Sequence, residues 1–325
     1  MKKWVWISLI LILGISLWDF YYFLWAPFGR GGIFYVEKGM GVSQIAAQLE
    51  SQGFIRSELA FKLWAKFAKP KTLHFGEYEI PPMTRIKDIL TQMEMGQTRH
   101  FPLAIPEGLT FREIGERVKK AGLLGSEQWD KLFIDEQLKA KLGFEAANLE
   151  GYLFPSTYQY DGHTTARQLL EQMLEEFNHE FDQSLRAQSQ ALGMSIPQVM
   201  TLASIIEKET GAAAERPLIG GVFHNRLKKG MRLETDPTVI YGIQNFDGNL
   251  TRAHLLDPHP YNTYIHPGLP PGPIANPGLA SIKAALYPAQ HEYLFFVSKG
   301  DGTHYFSKTY DEHLAAVQKY QLGQK

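Results

Sequence analysis

The sequence of 325 residues contains no cysteine. That absence excludes disulfide bonds, thiolate nucleophiles and zinc sites with cysteine ligands, and it is compatible with an oxidising compartment. An excess of charge is also missing, because 33 basic side chains are matched by 34 acidic ones. The resulting net charge of −1 provides no general attraction to phosphate backbones, so no nucleic-acid partner is expected.

Several sequence signatures of catalysis are missing as well. The chain has no HExxH pair, no GxSxG motif, no Walker loop and no dinucleotide-binding glycine pattern. His254, His259 and His266 are scattered through a proline-rich loop, where hydrogen bonding within the loop is the commoner role for histidine. We therefore expect neither a metal ion nor an organic cofactor.

The N-terminus carries the longest apolar run. Trp4–Trp18 contains no charged residue, and the run extended to Phe28 is 25 residues long with Asp19 as its one charge. A hydrocarbon core requires about 20 apolar residues. We interpret 1–28 as a cytoplasmic stub and an uncleaved transmembrane anchor, because no convincing cleavage site follows the run. A cleaved signal peptide is the alternative.

The flanks of the apolar run predict its orientation. Lys2 and Lys3 precede it, which favours a cytoplasmic N-terminus and places the remaining chain outside the membrane. We therefore expect a single-pass membrane protein whose main domains lie on the side of the membrane opposite the cytoplasm. The aromatic residues expected at the outer interface are Trp18, Tyr21, Tyr22 and Trp25. A glycine-containing linker at 29–32 follows.

Beyond the linker the chain contains an internal repeat. Residues 36–58 and 105–127 align at an offset of 69 positions, with Gly39 matching Gly108. Each copy predicts a short strand, a turn and an amphipathic helix that ends at a glycine. We interpret 33–142 as a subdomain of strand-helix modules similar in shape to LysM glycan-binding modules. A duplicated structural element without a ligand is the alternative.

Residues 143–325 have a different character and predict a mixed α+β domain. Helices are predicted over 165–192, 196–210 and 216–227, a β-hairpin over 293–307, and a terminal helix from Tyr310. The segment 257–278 holds too many prolines for a regular element and is a candidate binding loop. The fold class predicted for the whole chain is α+β.

The helix predicted over 196–210 carries two glutamates near its end. At about 100° per residue, Glu209 falls between Leu202 and Ile205, just inside the apolar face. Glu207 falls at the opposite border of that face. A carboxyl group beside apolar side chains loses hydration, which raises its pKa and suits it to general acid catalysis. The spacing does not decide which of the two glutamates would be catalytic. A third possibility is that both simply belong to a solvated helix end without catalytic function.

Four segments resemble one known family. These are ASIIEKETGAAAERPLIGGVFHNRLKKGMRLETDPTVIYG (203–242), EGYLFPSTY (150–158), YNTYIHPGLPPGPIANPG (261–278) and HYFSKTYDEH (304–313). They are similar to the YceG-like endolytic murein transglycosylases, and the resemblance extends over essentially the whole chain. It implies an N-terminal anchor in the bacterial inner (cytoplasmic) membrane, a LysM-like subdomain and a periplasmic or otherwise extracytoplasmic catalytic domain at 143–325.

The resemblance also implies site residues. The family's catalytic glutamate is the second one of the EKET motif, which corresponds to Glu209. Substrate-pocket residues are expected at the other matching positions, which are Glu150, Glu207, Asn225, Arg226, Asp236, Thr238, Tyr241, Asn262 and Tyr264. Two positions depart from the family pattern, since Ser156 stands where Asp is common and Glu234 where Gln is frequent.

The function implied by the resemblance is peptidoglycan cleavage without water. Glu209 would protonate the glycosidic oxygen after N-acetylmuramic acid and then accept the proton of that sugar's C6 hydroxyl, giving a 1,6-anhydro end. The expected partners are peptidoglycan glycan strands and the membrane, with peptidoglycan synthases as further candidates. Two alternatives remain: a non-enzymatic glycan-binding protein that recruits synthases, and a hydrolase that uses Glu209 with Glu207 or Asp236.

Overall fold

The computed structural model of the chain describes residues 14, 18, 21–22, 25–124 and 128–323. Among these residues, no helix is both long enough and apolar enough to span a bilayer. The predicted anchor at 1–28 falls mostly outside the described residues, and the transmembrane helix stays a prediction. The chain divides into two compact units, a first unit of Met1–Pro102 with Gln159–His163 and a second unit of Leu103–Tyr158 with Thr164–Lys325.

In the first unit, helices share one apolar core with a small antiparallel sheet. β1 (Gly32–Val36) pairs with β2 (Gly76–Ile80), and the helices that follow are α1 (Val42–Ser51), α2 (Glu58–Ala68) and α3 (Ile86–Glu94). Phe34 lies opposite Tyr78 in the sheet, and both side chains are fully buried. Burial raises the pKa of Tyr78 to about 12, and its hydroxyl donates to the carbonyl of His74 at 2.7 Å.

The predicted repeat is present in the backbone. In the second copy, strand β3 (Phe101–Ile105) and helix α4 (Phe111–Lys120) repeat the order of β1 and α1. The matching glycines before and after each helix all have φ between +77° and +92°, a range that favours glycine. These glycines are Gly39, Gly53, Gly108 and Gly122.

The two copies of the repeat belong to different units. The turn and helix of the first copy lie in the first unit, whereas those of the second copy lie in the second unit, since the division falls at Pro102 and Leu103. The predicted boundary between 142 and 143 followed a change in sequence character and stays a prediction. The similarity of these modules to LysM modules also stays a prediction.

The second unit is mainly helical and carries short strands. Its early elements are α5 (Trp129–Leu132) and α6 (Glu136–Ala140), followed by strand β4 (Ser156–Tyr160), whose last two residues belong to the first unit. Its central helices are α7 (Ala166–Glu180), α8 (Gln183–Ala191), α9 (Ile196–Glu209), α10 (Arg216–Lys228) and α11 (Asp236–Gly242). Its last elements are α12 (Arg252–Leu255), α13 (Leu279–Leu286), β5 (Phe295–Ser298), β6 (His304–Ser307) and α14 (Tyr310–Val317). A 3₁₀ turn (Ala213–Glu215) precedes α10, and a π-helical turn (Gln318–Leu322) follows α14.

Helix α9 is the centre of this unit. Ser195 caps it by accepting from the backbone N–H of Gln198, and Pro197 occupies its first turn, where proline is tolerated. Every residue from Val199 to Ile206 is buried, and α9 packs against α10 and α13. A helix buried on all sides can hold the residues at its C-terminal end in fixed positions.

Most predicted elements of this unit are confirmed. The helices predicted over 196–210 and 216–227, the hairpin of β5 and β6, and the terminal helix at Tyr310 are all present. The prediction of a single helix over 165–192 is wrong, because the helix is interrupted where α7 ends at Glu180 and α8 begins at Gln183. Asp182 begins α8 by accepting from the backbone N–H of Leu185 at 3.0 Å, so a new helix starts there.

Candidate active site

Glu209 is the last residue of α9 and lies where several elements of the second unit meet. Its side chain is partly buried, and its Oε1 accepts a hydrogen bond from the hydroxyl of Thr235, just before α11. The backbone at Gly211 runs against the turn between β5 and β6, since a Cβ at Gly211 would lie 2.7 Å from the carbonyl oxygen of Gly302. The end of α9, the start of α11 and the C-terminal hairpin therefore converge near one carboxyl group.

The surroundings of Glu209 raise its pKa. Loss of hydration is the largest cause, and the negative charge of Asp236 acts in the same direction. The hydrogen bond from Thr235 and the electrostatic influence of His304 and Arg226 act in the opposite direction without cancelling the effect. A carboxyl group with a raised pKa retains its proton nearer to neutral pH, as a general acid requires.

Glu207 has a different environment, which the helix wheel could not reveal. Its Oε1 receives the guanidinium of Arg216 at 3.3 Å, and its Oε2 accepts from the backbone N–H of Gly278 at 3.0 Å. Arg216 also donates to the hydroxyl of Ser281 at 3.1 Å and lies 3.6 Å from the carboxylate of Glu107. Glu207 therefore ties α9 to α10 and to the start of α13, and both its oxygens are engaged.

Threonine hydroxyls hold the segment that carries Thr235. The hydroxyl of Thr263 accepts from the backbone N–H of Thr235 at 3.2 Å and lies 2.8 Å from the hydroxyl of Thr238. Thr238 in turn donates to the carbonyl of Thr235 at 2.7 Å. Thr238 is fully buried, so this predicted pocket residue has a structural role: it fixes the first turn of α11 and with it the donor to Glu209.

Asp236 and Tyr264 form a polar pair close to Glu209. The hydroxyl of Tyr264 donates to Oδ1 of Asp236 at 2.7 Å. Burial, followed by the interaction with Asp236, raises the pKa of Tyr264, and Glu209 contributes in the same direction. Asn262 supports this pair from behind: its Oδ1 accepts from the backbone N–H of Tyr264, and its Nδ2 donates to the carbonyl of Asp257 at 2.7 Å.

Arg226 is a buried cation close enough to Glu209 to influence its pKa. Its Nε donates to the carbonyl of Leu294 at 2.6 Å, and its Nη1 donates to the carbonyl of Leu233 at 2.8 Å and to Oε2 of Glu234 at 3.3 Å. Desolvation lowers the pKa of Arg226. Glu234, one of the two departures from the family pattern, therefore pairs with Arg226 from a left-handed backbone position with φ of +51°.

The side chain of Asn225 bonds to the protein's own backbone. Its Nδ2 donates to the carbonyls of His291 at 2.8 Å and Tyr293 at 3.0 Å, which fastens the segment before β5 to α10. The other departure, Ser156, is the first residue of β4.

Glu150 and Tyr241 form a second cluster. Glu150 is only 3% exposed, and its Oε1 accepts from the backbone N–H of Phe111 at 2.9 Å and from Nδ2 of Asn276 at 3.2 Å. Its Oε2 accepts from the hydroxyl of Tyr241 at 3.1 Å. Burial raises the pKa of Glu150 to about 7. This carboxyl group joins the start of α4, the proline-rich loop and α11.

The structure thus separates the predicted site residues into groups. Glu209, Asp236, Tyr264 and Arg226 influence one another directly. Glu150 and Tyr241 are paired, and the residues that mainly hold the backbone are Glu207, Asn225, Thr238 and Asn262.

Sequence reasoning missed four residues of the site. Thr235 and Thr263 lie inside the matched motifs. Nothing in their spacing shows that the hydroxyl of Thr235 bonds to Glu209, or that the hydroxyl of Thr263 accepts from the backbone of Thr235. His304 is the first residue of the tail motif, and Glu215 accepts from its backbone N–H at 3.1 Å and lies 2.7 Å from its Nδ1. The local sequence gives no sign of this contact because 89 residues separate the two.

The three histidines in and beside the proline-rich segment bond to backbone groups close to them in sequence. Nδ1 of His254 accepts from the backbone N–H of Thr251 at 3.2 Å, and Nδ1 of His259 accepts from that of Tyr261 at 3.3 Å. His266 lies 3.4 Å from the carbonyl of Pro258. His259 and His266 thus bond within the proline-rich loop, whereas His254 lies in α12 and its ring caps the first turn of that helix, so the predicted loop role is wrong for His254.

Glu209 thus offers a partly buried carboxyl group with a raised pKa, a hydroxyl donor and a neighbouring acidic residue, an arrangement suited to acid–base chemistry. The model of the YceG-like family matches residues 34–319. An endolytic murein transglycosylase of Bacillus subtilis (strain 168) is 33% identical over 302 residues, covering 88% of this chain and 83% of the relative. An endolytic murein transglycosylase of Streptococcus pneumoniae serotype 2 is 27% identical over 310 residues, covering 86% of this chain and 56% of the relative.

A solved structure agrees with these relatives. The crystal structure of a YceG-like protein from Listeria monocytogenes has a TM-score of 0.60 and 32% identity, and the match covers 88% of this chain and 98% of that one. The chain therefore belongs to the YceG-like family. The family predicted from the sequence is confirmed, and with it the general class of enzyme.

Proposed function

We propose that this chain is a peptidoglycan lytic transglycosylase that cuts inside glycan strands, between N-acetylmuramic acid and N-acetylglucosamine. Family membership and the names of the relatives support the reaction class. The observation that carries the assignment of the catalytic residue is the environment of Glu209, a desolvated carboxyl group at the end of a buried helix with a hydroxyl donor on Oε1.

The reaction needs one group that acts first as an acid and then as a base. Protonated Glu209 gives its proton to the glycosidic oxygen, the bond from that oxygen to C1 breaks, and positive charge develops on the muramic ring. The C6 hydroxyl of the same sugar then attacks C1, and its proton passes to Glu209. The products are a free hydroxyl on one fragment and a 1,6-anhydro ring on the other, with no water consumed.

A single carboxyl group is sufficient for this reaction because the nucleophile belongs to the substrate. Hydrolysis of the same bond usually employs two carboxyl groups. Asp236 is the neighbour that could act as the second, since its charge raises the pKa of Glu209. In the transglycosylase mechanism, Asp236 instead adds to the desolvation that raises the pKa of Glu209, and it contributes negative charge beside the developing cation.

The compartment belongs to the proposal too. The apolar N-terminal run would anchor the chain in the inner membrane with its N-terminus in the cytoplasm, and the 33–142 modules would bind or space the glycan. An enzyme held there meets newly made strands before mature wall and would terminate their elongation, with peptidoglycan synthases as candidate partners. A chain that begins at Gly31 should retain its chemistry in vitro and lose control of strand length in cells; unchanged strand lengths would contradict this role.

The reaction is tested with two glutamine variants two positions apart. Glu209→Gln keeps the size of the side chain and removes the transferable proton, so it should fold normally and release no anhydro-muropeptides from isolated sacculi. Glu207→Gln is the matched control, because it alters the carboxyl group bound to Arg216 and Gly278. It should still yield anhydro products, with a lower melting temperature.

Mass spectrometry of the products separates the alternatives. Anhydro ends from wild-type protein that are absent with Glu209→Gln support the proposal. Products heavier by one water indicate a hydrolase, and no cleavage by folded wild-type protein indicates a glycan-binding protein. Anhydro ends released by Glu209→Gln would show that another residue transfers the proton.

A further inference from the structure

The outward face of α2 in the first unit carries large apolar side chains where polar ones are expected. Leu59, Leu63 and Phe67 follow one another at intervals of four residues, and they are 64%, 49% and 77% exposed. Single exposed apolar residues are common, but residues spaced by four form a continuous stripe along one side of a helix. The opposite side of α2 is already buried in the core through Ala60 and Phe61.

The stripe continues into a series of aromatic rings. Trp18 contacts Tyr21 with ring centroids 6.4 Å apart, and Tyr21 contacts Trp25 at the same distance. Trp25 then meets Trp64 of α2 at 5.3 Å, and Trp64 lies 5.6 Å from the ring of Phe67. Together with Leu63, these residues line an open groove of about 620 Å³.

Basic side chains border this apolar surface. Arg85 and Lys87, at the start of α3, line the groove, and none of the described residues that line it is acidic. On α2, Lys66 is exposed and lies about 20° around the helix from Leu59. Lys62 lies on the same edge and pairs with Glu58. Apolar rings and aliphatic side chains bordered by lysine and arginine are the composition of a helix that lies in a membrane interface.

We propose that this face of the first unit rests on an anionic lipid bilayer, with Leu59, Leu63 and Phe67 entering the boundary between headgroups and acyl chains. The bilayer is the expected occupant because Trp18 and Trp25 belong both to the groove wall and to the last part of the apolar run in the sequence. Wherever that run enters a membrane, the groove lies next to it. Arg85, Lys87 and Lys66 complement the phosphates of anionic lipids. The inference rests on the proposed anchor and adds a second, peripheral contact to it.

The absence of cysteine makes a direct test possible in the full-length chain. Single variants Leu63→Cys and Phe67→Cys, each labelled with a nitroxide, are placed in nanodiscs of phosphatidylglycerol and phosphatidylcholine with one chain per disc. Collision of the label with oxygen, which concentrates in lipid, is compared with collision with a water-soluble nickel complex. Leu256→Cys, at a position 66% exposed in the second unit, is the aqueous control, and Ile10→Cys reports on the anchor.

The proposal expects a ratio of oxygen to nickel collisions at positions 63 and 67 that is several-fold higher than at 256. It also expects that excess to fall when Arg85 and Lys87 are both replaced by Glu. If 63 and 67 behave like 256 while 10 lies in lipid, the peripheral contact is refuted and the anchor stands. If 10 is also in water, the anchor fails as well. In liposomes, dipolar broadening between labels at 67 without any preference for oxygen would assign the face to a second copy and overturn the proposal.

Discussion

The hydroxyl of Thr235 donates to the carboxyl group of Glu209 across 26 residues of sequence. The backbone N–H of Thr235 is itself held by the hydroxyl of Thr263 at 3.2 Å. The orientation of the proposed acid therefore depends on the first turn of α11 as much as on the helix that carries Glu209.

Removing the hydroxyl of Thr235 should change the pH dependence of cleavage. The hydrogen bond favours the charged form of Glu209 and lowers its pKa, so Thr235→Val should raise that pKa further. The alkaline limb of the pH–rate profile should move to higher pH, and kcat should fall about tenfold as the carboxyl group loses its orientation. Thr235→Ser keeps the donor and should resemble wild type. If the pH–rate profile of Thr235→Val matched that of wild type, the hydroxyl of Thr235 would have no influence on the catalytic acid.

Glu150 should make stability depend on pH. Its pKa rises from an ordinary 4.5 to about 7 in the folded protein, so the folded state binds its proton more tightly than the unfolded state does. The stability from this group is complete below about pH 4.5 and is lost as the pH rises towards 7. Because one pKa unit corresponds to about 1.4 kcal/mol, the loss is about 3 kcal/mol.

Glu150→Gln tests this dependence. A glutamine can accept from Phe111 and Asn276 and donate to Tyr241, while its charge does not change with pH. Urea unfolding at several pH values should show the variant gaining stability relative to wild type between about pH 4.5 and 7. Glu136→Gln, at a side chain that is 85% exposed, should show no such trend. A constant difference between Glu150→Gln and wild type would contradict a buried group that titrates.

Local sequence signals predicted much of this fold because they act over a few residues. The capped start of α9 at Ser195 and the left-handed glycines of the repeat are of this kind. The break between α7 and α8 was missed because the amphipathic pattern continues through it, although Asp182 is a residue type that begins helices. The packing of the second repeat was also not predictable, since its turn bonds to Asn276 across 167 residues.

The motifs predicted which residues belong to the candidate site but not which contacts each side chain makes. Glu207 and Glu209 are two positions apart in one motif, yet one binds an arginine and the other a threonine hydroxyl. Asn225 and Asn262 were predicted as pocket residues, but the side-chain amide N–H groups of both donate to backbone carbonyls. Whether a polar side chain faces a ligand or its own backbone depends on tertiary contacts, which sequence spacing does not contain.

Asn225 should therefore matter for stability. Asn225→Asp puts a carboxylate oxygen opposite the carbonyls of His291 and Tyr293 in place of the donor. Losing the two hydrogen bonds and adding repulsion should lower the free energy of unfolding by about 3 kcal/mol. Asn249→Asp makes the same change at an exposed position and should be nearly neutral. Equal stability for the two variants would return Asn225 to the candidates for substrate binding, and a raised KM in a stable Asn225→Asp would do the same.

The close approach of Gly211 to Gly302 yields the final prediction. A methyl group at 211 would lie 2.7 Å from the carbonyl oxygen of Gly302, and only a shift of the backbone can relieve that overlap. Gly211→Ala should therefore displace the hairpin that carries His304 from the end of α9, change the field on Glu209 and lower kcat at least about tenfold. Gly41→Ala is the matched control, because its methyl group would meet nothing closer than 3.9 Å. Wild-type kcat in a folded Gly211→Ala protein would mean that cleavage does not depend on the position of the hairpin.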